Sequence, residues 1–133
     1  MQLQPLFTLS GTANTERLGK VQGGERLKIE YRGSTTPGSL IAGKAHGNDW
    51  VLLGPLGPGE TNAVHELMTA DKEHLAVELR GYALSRDGGG MEIRTAGIIR
   101  TAAPRFSELN GKIALVVERL SPDKKIEVTA YKF

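Results

Sequence analysis

The amino-acid sequence predicts an all-β fold, and three observations predict it. Residues 25–32 (ERLKIEYR) alternate apolar and charged side chains with period two, the signature of a strand with one buried face. Residues 91–101 alternate in the same way, with Met91, Ile93 and Ile99 on one side and Glu92, Arg94 and Arg100 on the other. Seventeen glycines and six prolines cut the chain into short segments joined by tight-turn motifs, which suits antiparallel connections. No internal repeat and no domain boundary is visible, so residues 1–133 read as one domain.

Taken in order, residues 25–32 set Leu27, Ile29 and Tyr31 against Arg26, Lys28, Glu30 and Arg32. Residues 39–46 and 49–53 are two strand candidates separated by Gly47-Asn48, a pair that suits a two-residue turn with positive φ. That hairpin would set His46 against Asp49 and hold Asp49 and Trp50 at one end of the fold. Residues 55–60 (PLGPGE) read as a loop, because two prolines and two glycines oppose a ladder there. Residues 62–79 (NAVHELMTADKEHLAVEL) carry two readings. As a helix capped by Thr61, they place Val64, Leu67, Met68 and Leu75 on one face, and the fold becomes α+β. As two strands, they split at Ala70-Asp71-Lys72, with Leu75, Val77 and Leu79 alternating against Glu78 and Arg80. Asp87-Gly88-Gly89-Gly90 is a hairpin tip, and Asn110-Gly111 and Ser121-Pro122-Asp123 are turns. Residues 113–120 form a β-branched run, and residues 126–133 alternate again.

Composition excludes several function classes. There is no cysteine, hence no disulfide framework, thiolate metal site or cysteine nucleophile. The start, MQLQPLFTL, lacks the basic and apolar regions of a signal peptide. The longest apolar run, residues 113–117, is far too short to span a bilayer. A soluble, cytoplasmic protein without a membrane partner is expected. The net charge of +2 is spread along the chain and aromatic residues make up 5 %, which argues against nucleic acid.

A set of short signatures runs along nearly the whole chain. They are Pro5-Leu6-Phe7, Gly23-Gly24-Glu25-Arg26, Gly33 followed by Leu40 and Gly43, Asp49-Trp50, Arg100 with Pro104-Arg105-Phe106, and Leu109-Asn110. In order and spacing this set resembles a bacterial and fungal family of small barrel proteins, domain-of-unknown-function family three-two-three-seven. The resemblance implies a single antiparallel barrel of about eight or nine strands, calycin-like, with two strands across residues 62–79. It also implies an enclosed pocket for one small ligand. Some members belong to pathways that make aromatic or polyketide-like products, where cyclase roles have been proposed. The chain departs from the pattern with Val64-His65 where an Arg-Tyr pair is expected, and with shorter segments before Asp49-Trp50 and after Phe106.

There is no Walker loop, GxGxxG, GxSxG or HExxH, and His46, His65 and His74 lack close ligand spacing, so neither cofactor nor metal is expected. What remains is acid–base chemistry in an apolar pocket. His65 is the first candidate, since histidine titrates near neutrality and Ala63 and Leu67 mark an inward side. Its bland reading is a solvated histidine. Asp49 is a candidate base if burial raises its proton affinity; otherwise it is a turn residue. Arg100 and Arg105 would hold an anionic or enolate oxygen, or else sit on solvated faces, Arg105 pairing with Glu108. Trp50 and Tyr31 would wall an aromatic ligand, or pack in the core. Asn110 is marked by the resemblance and is otherwise a turn residue. The function expected is a cofactor-independent isomerase or cyclase acting on a small apolar, aromatic or polyketide-like molecule. The rival is a non-catalytic carrier barrel for the same molecule. Barrel edges and exposed apolar content allow a homodimer.

Overall fold

A computed structural model describes residues 2–132. Eight strands follow one another in sequence: β1 (Gln4–Val21), β2 (Gly24–Thr35), β3 (Lys44–Gly54), β4 (Gly57–Met68), β5 (His74–Ser85), β6 (Met91–Thr101), β7 (Ile113–Leu120) and β8 (Lys125–Lys132). Each pairs antiparallel with its neighbours, and β8 returns to β1, closing the barrel. One 3-10 helix, Pro104–Leu109, interrupts the β6–β7 connection. The strand expected over residues 126–133 is β8, except that Phe133 lies outside the described residues.

Period-two alternation sorts the side chains. Leu27, Ile29 and Tyr31 of β2, Ala45, Gly47, Asp49 and Val51 of β3, and Ala63, His65 and Leu67 of β4 all point inward and are buried. An eight-stranded barrel has an interior just wide enough for side chains to fill. Here large residues such as Leu9, Ile93, Ile99 and Val128 interlock with Ala45, Ala83, Ala114 and Ala130. Ile41, from the β2–β3 connection, and Leu109 of the 3-10 helix complete the core at the end where β1 begins.

Three local expectations are corrected. Gly47-Asn48 is not a turn: β3 runs straight through it, and the hairpin lies further on, between Gly54 and Gly57. Gly47 has no positive φ. Its missing side chain matters instead, because a Cβ there would lie 2.2 Å from Tyr31 Cε2 and 2.7 Å from His65 Cδ2. Second, residues 57–60 are paired rather than looped; Pro58 sits opposite Leu53 where a bulge disrupts the β3–β4 ladder, a place that tolerates a missing N–H. Third, no helix forms over residues 62–79. They become β4 and β5, joined by a turn in which Lys72 adopts φ 65° and Thr69 bonds Glu73. Good helix formers lose there because burying Ala63, His65, Leu67, Leu75 and Leu79 in the barrel outweighs weak local propensity.

Candidate functional site

Four inward residues on four strands meet inside the barrel. Register sets Tyr31, Gly47 and His65 level across β2, β3 and β4. Because the middle residue is glycine, the two rings close over it, with centroids 5.0 Å apart and planes 78° from parallel. Tyr31 Oη then lies 3.0 Å from His65 Nδ1. On the other side of the imidazole, Nε2 lies 2.9 Å from Asp49 Oδ1 and 3.6 Å from Glu118 Oε2. An Asp49 carboxylate only accepts, so Nε2–H donates to it; Nδ1 either accepts from the Tyr31 hydroxyl or, when protonated, donates to it.

The cluster is sealed. Asp49 and Glu118 are 0 % exposed and His65 is 5 % exposed. Among the described residues, Asp49 Oδ2 and both Glu118 carboxylate oxygens find no donor. Burial pushes the proton affinity of Glu118 well above the ordinary carboxylate range, reinforced by the negative charge of Asp49 and a hydrogen bond to it from the protonated form. Burial, with help from the charges of Glu118 and Asp49, likewise raises the Tyr31 phenol well above its usual range. His65 Nε2 and one oxygen from each carboxylate lie within 4.8 Å of one another, a spacing that would also admit a divalent cation.

Only Tyr31 and His65 of this cluster face a crevice that opens toward the β1-start end. Apart from Glu66, its other walls are apolar, among them Phe7, Leu67, Leu75, Val77 and Ile99. The crevice measures about 20 Å³, room for roughly one water molecule. The barrel is therefore closed in this conformation, and a larger guest must spread the ends of β1, β4, β5 and β6.

The remaining sequence candidates lie outside. Trp50 faces outward from the middle of β3, not from a barrel mouth, and Lys28 Nζ sits 6.0 Å from its ring centre. Arg100 is also outward, and it shares with Trp50 a surface groove that includes Asn62, Arg80 and Ile98. Arg105 pairs with Glu73 and Asp71, not Glu108, and pins the 3-10 helix to the β4–β5 turn. Asn110 holds the end of β6: its Oδ1 accepts from Thr101 N at 2.7 Å and its Nδ2 donates to Thr101 O at 2.8 Å. His46 pairs with Glu66 on the outer surface, away from Asp49. Neither Arg100 nor Arg105 reaches the interior cluster.

Glu118 is the residue that sequence reasoning missed. It shares the parity of Ala114, Val116 and Leu120, all buried, whereas Arg119 faces out. Placed at the end of a β-branched run and beside an arginine, it reads as the polar exit of the strand. Its register with the inward set was the available signal.

No family model and no curated protein matches the chain. Solved structures do. A β-barrel-like protein from Acinetobacter baumannii AYE is 22 % identical with a TM-score of 0.80, over 98 % of this chain and 94 % of that one. A protein described as having unknown function, from Clostridium acetobutylicum ATCC 824, is 20 % identical with a TM-score of 0.82, over 99 % and 96 %. A structure described as an enzyme from Penicillium herquei is 15 % identical with a TM-score of 0.69, over 98 % and 93 %. At such identities the likeness is one of fold: this chain is a closed eight-stranded antiparallel barrel similar to small barrel proteins of unknown function.

Proposed function

We propose that the barrel is a cofactor-independent proton-transfer catalyst, an isomerase or cyclase, for a small apolar molecule of aromatic or polyketide-like character. One observation carries this reading: the hydrogen-bonded row Tyr31–His65–Asp49, backed by Glu118, buried at the end of an apolar crevice. A polar row of this kind is costly to bury, and titratable groups held in apolar surroundings concentrate at functional sites. His65 moves the proton, Asp49 fixes its ring and tautomer, and Tyr31 carries the exchange to the crevice. The motif resemblance to family three-two-three-seven and the fold shared with a Penicillium enzyme support the same reading.

The test is His65→Gln, which keeps hydrogen bonding but removes titration near neutrality. Turnover of a cyclisable aromatic polyketide model compound should fall about 100- to 10,000-fold, with thermal unfolding unchanged enough to show a folded barrel. Full turnover by the variant would remove His65 from the mechanism. Binding without turnover in both proteins would make the barrel a carrier.

A further inference from the structure

The interior of the barrel poses a charge and donor problem that the proton-transfer reading does not by itself solve. Two carboxyl groups, Asp49 and Glu118, are completely buried against a single imidazole. Among the described buried residues, the groups able to face Glu118 with charge or a titratable proton are Asp49 of β3, His65 of β4 and Tyr31 of β2; the other buried polar residues are Thr61, Thr69 and Thr95, and Glu92, which is taken up by Arg94 and Arg119. Among the described residues, no arginine or lysine is buried there. One imidazolium can balance one carboxylate and not two, and an isolated buried carboxylate without a donor is among the most expensive groups a core can hold.

Geometry decides which carboxyl keeps its proton. Asp49 Oδ1 takes a hydrogen bond from His65 Nε2 at 2.9 Å, while Glu118 Oε2 stands 3.6 Å from the same nitrogen, beyond bonding reach. Asp49 thus has a donor, and both oxygens of Glu118 have none. A protonated Glu118 brings its own donor, and the neighbouring Asp49 carboxylate has an unfilled acceptor in Oδ2.

We propose that Asp49 and Glu118 hold a single proton between them behind His65, and that this proton turns Glu118, Asp49, His65 and Tyr31 into a donor chain whose last hydroxyl binds the carbonyl oxygen of a neutral molecule. Every donor but the last is then matched within the row. Glu118 O–H donates to Asp49, His65 donates from Nε2 to Asp49 and from Nδ1 to Tyr31 Oη, and the Tyr31 hydroxyl is left to donate into the crevice. In that state Asp49 is the one anion and His65 the one cation, so the interior is neutral. Tyr31 passes its O–H proton to the ligand oxygen and receives the Nδ1 proton of His65. The ligand, now carrying the positive charge, then gives up a proton from the carbon next to the carbonyl to Tyr31 Oη, which returns one to His65. The carbonyl form thus becomes the enol and the row is restored. A ligand that arrives already anionic brings a second negative charge into an interior whose one cation, His65, is already balanced by Asp49, and among the described residues the crevice is lined by Glu66 but by no arginine or lysine. The substrate class is accordingly a neutral ketone, enone or quinone-like carbonyl compound rather than a carboxylate or phosphate. This inference takes the location of the guest molecule from the proton-transfer reading, but the proton itself is a property of the free protein.

Infrared spectroscopy of the free protein at pH 7 reads that proton directly. A carboxylic-acid carbonyl band should be present, should shift when glutamate carboxyls are labelled with carbon-13, should stay fixed when aspartate carboxyls are labelled, and should vanish in Glu118→Gln. The labelling arm needs no variant, so a poorly folding Glu118→Gln leaves the result intact. The ligand half is read by NMR with cyclohexanone and cyclohexanecarboxylate as probes. Cyclohexanone should perturb Tyr31 and Leu67 and bind about 3- to 10-fold more weakly to Tyr31→Phe, the effect of one lost hydrogen bond. Cyclohexanecarboxylate should bind at least about tenfold more weakly than the ketone. Absence of the acid band overturns the proton, whatever His65→Gln does to turnover. Equal binding of ketone and carboxylate overturns the substrate class. Loss of the band on adding one equivalent of Zn²⁺, with a rise in unfolding temperature, overturns the proposal in favour of a cation site. A retained band and selective ketone binding, alongside unchanged turnover in His65→Gln, would uphold the proton and the ligand class while refuting the catalytic reading.

Discussion

Replacing Gly47 by Ala tests how the interior cluster is built. A Cβ at this position would stand 2.2 Å from Tyr31 Cε2 and 2.8 Å from Tyr31 Cζ. Reaching an ordinary carbon–carbon contact of about 3.5 Å requires the ring to retreat by roughly 1.3 Å. The Tyr31–His65 hydrogen bond, 3.0 Å in length, cannot survive a displacement of that size in most directions. Overpacking costs about 1–3 kcal/mol, and a buried donor left without its partner costs about 1–3 kcal/mol more. Against this, alanine restricts the unfolded chain and returns about 0.4–1 kcal/mol. A net loss of about 3 kcal/mol is expected, within a range of about 1–5 kcal/mol. Urea unfolding of the wild type, Gly47→Ala, Tyr31→Ala and the double variant measures it. In the Tyr31→Ala background the two closest-packed ring atoms are gone and only the 2.7 Å approach to His65 Cδ2 remains, against a ring no longer held by Tyr31, so the cost should shrink, a coupling that two-state midpoints resolve. A Gly47→Ala cost that is the same with and without the Tyr31 ring would refute the close approach of Tyr31 as its source and leave the His65 contact to carry it.

Further expectations follow from the same geometry. The folded state keeps a proton on Glu118 that the unfolded state releases above the ordinary value of 4.5. Stability from this group is thus complete in acid and falls as pH rises from there into the raised range, at up to about 1.4 kcal/mol per pH unit. Glu118→Gln should flatten that limb of the unfolding-temperature profile; parallel profiles for the two proteins would contradict it. Asn110→Ala removes two hydrogen bonds to Thr101 at an exposed site, so chemical unfolding should show a loss of about 1–2 kcal/mol with the NMR signals of Tyr31 and His65 unmoved. Arg105→Ala breaks half-exposed ion pairs with Glu73 and Asp71; its cost should stay below about 1 kcal/mol and shrink further in salt. A large, salt-independent loss would show that the 3-10 helix is held chiefly through that arginine.

What the sequence made legible was whatever alternation encodes. Residues 91–101 and 113–120 became β6 and β7 with those bounds, and Ala63, His65 and Leu67 share an inward face. Turn chemistry was legible where residues must adopt special backbone angles, as at Gly88, Gly89 and Gly111. It failed at Gly47-Asn48, because glycine serves two physical purposes, positive φ and close approach, and a local string does not say which. The cluster was hidden for a related reason. Tyr31, Asp49, His65 and Glu118 come from β2, β3, β4 and β7, and their meeting depends on the register of a closed sheet rather than on any spacing along the chain. Arg100 and Trp50 show the converse: each lies on an alternating strand, and parity sends both to the outer surface.

Closure through β1 and β8 shapes how the chain must fold. Seven ladders join strands adjacent in sequence and can zip as local hairpins, but the eighth pairs Leu9 with Val128. Bringing such distant segments together costs about 3 kcal/mol more in chain entropy than closing a four-residue hairpin loop. The seam is therefore expected to close last, and a sheet that lacked it would have two bare edges. Those edges are the ones a neighbouring molecule could extend into an intermolecular sheet. The chain guards them where it counts: Pro5 and the bulge before Phe7 break the regularity of β1, and Lys125 and Lys132 bracket β8 with charge. Once β8 docks on β1 neither edge is left bare, so a variant that weakens this one seam is the kind expected to expose both edges at once.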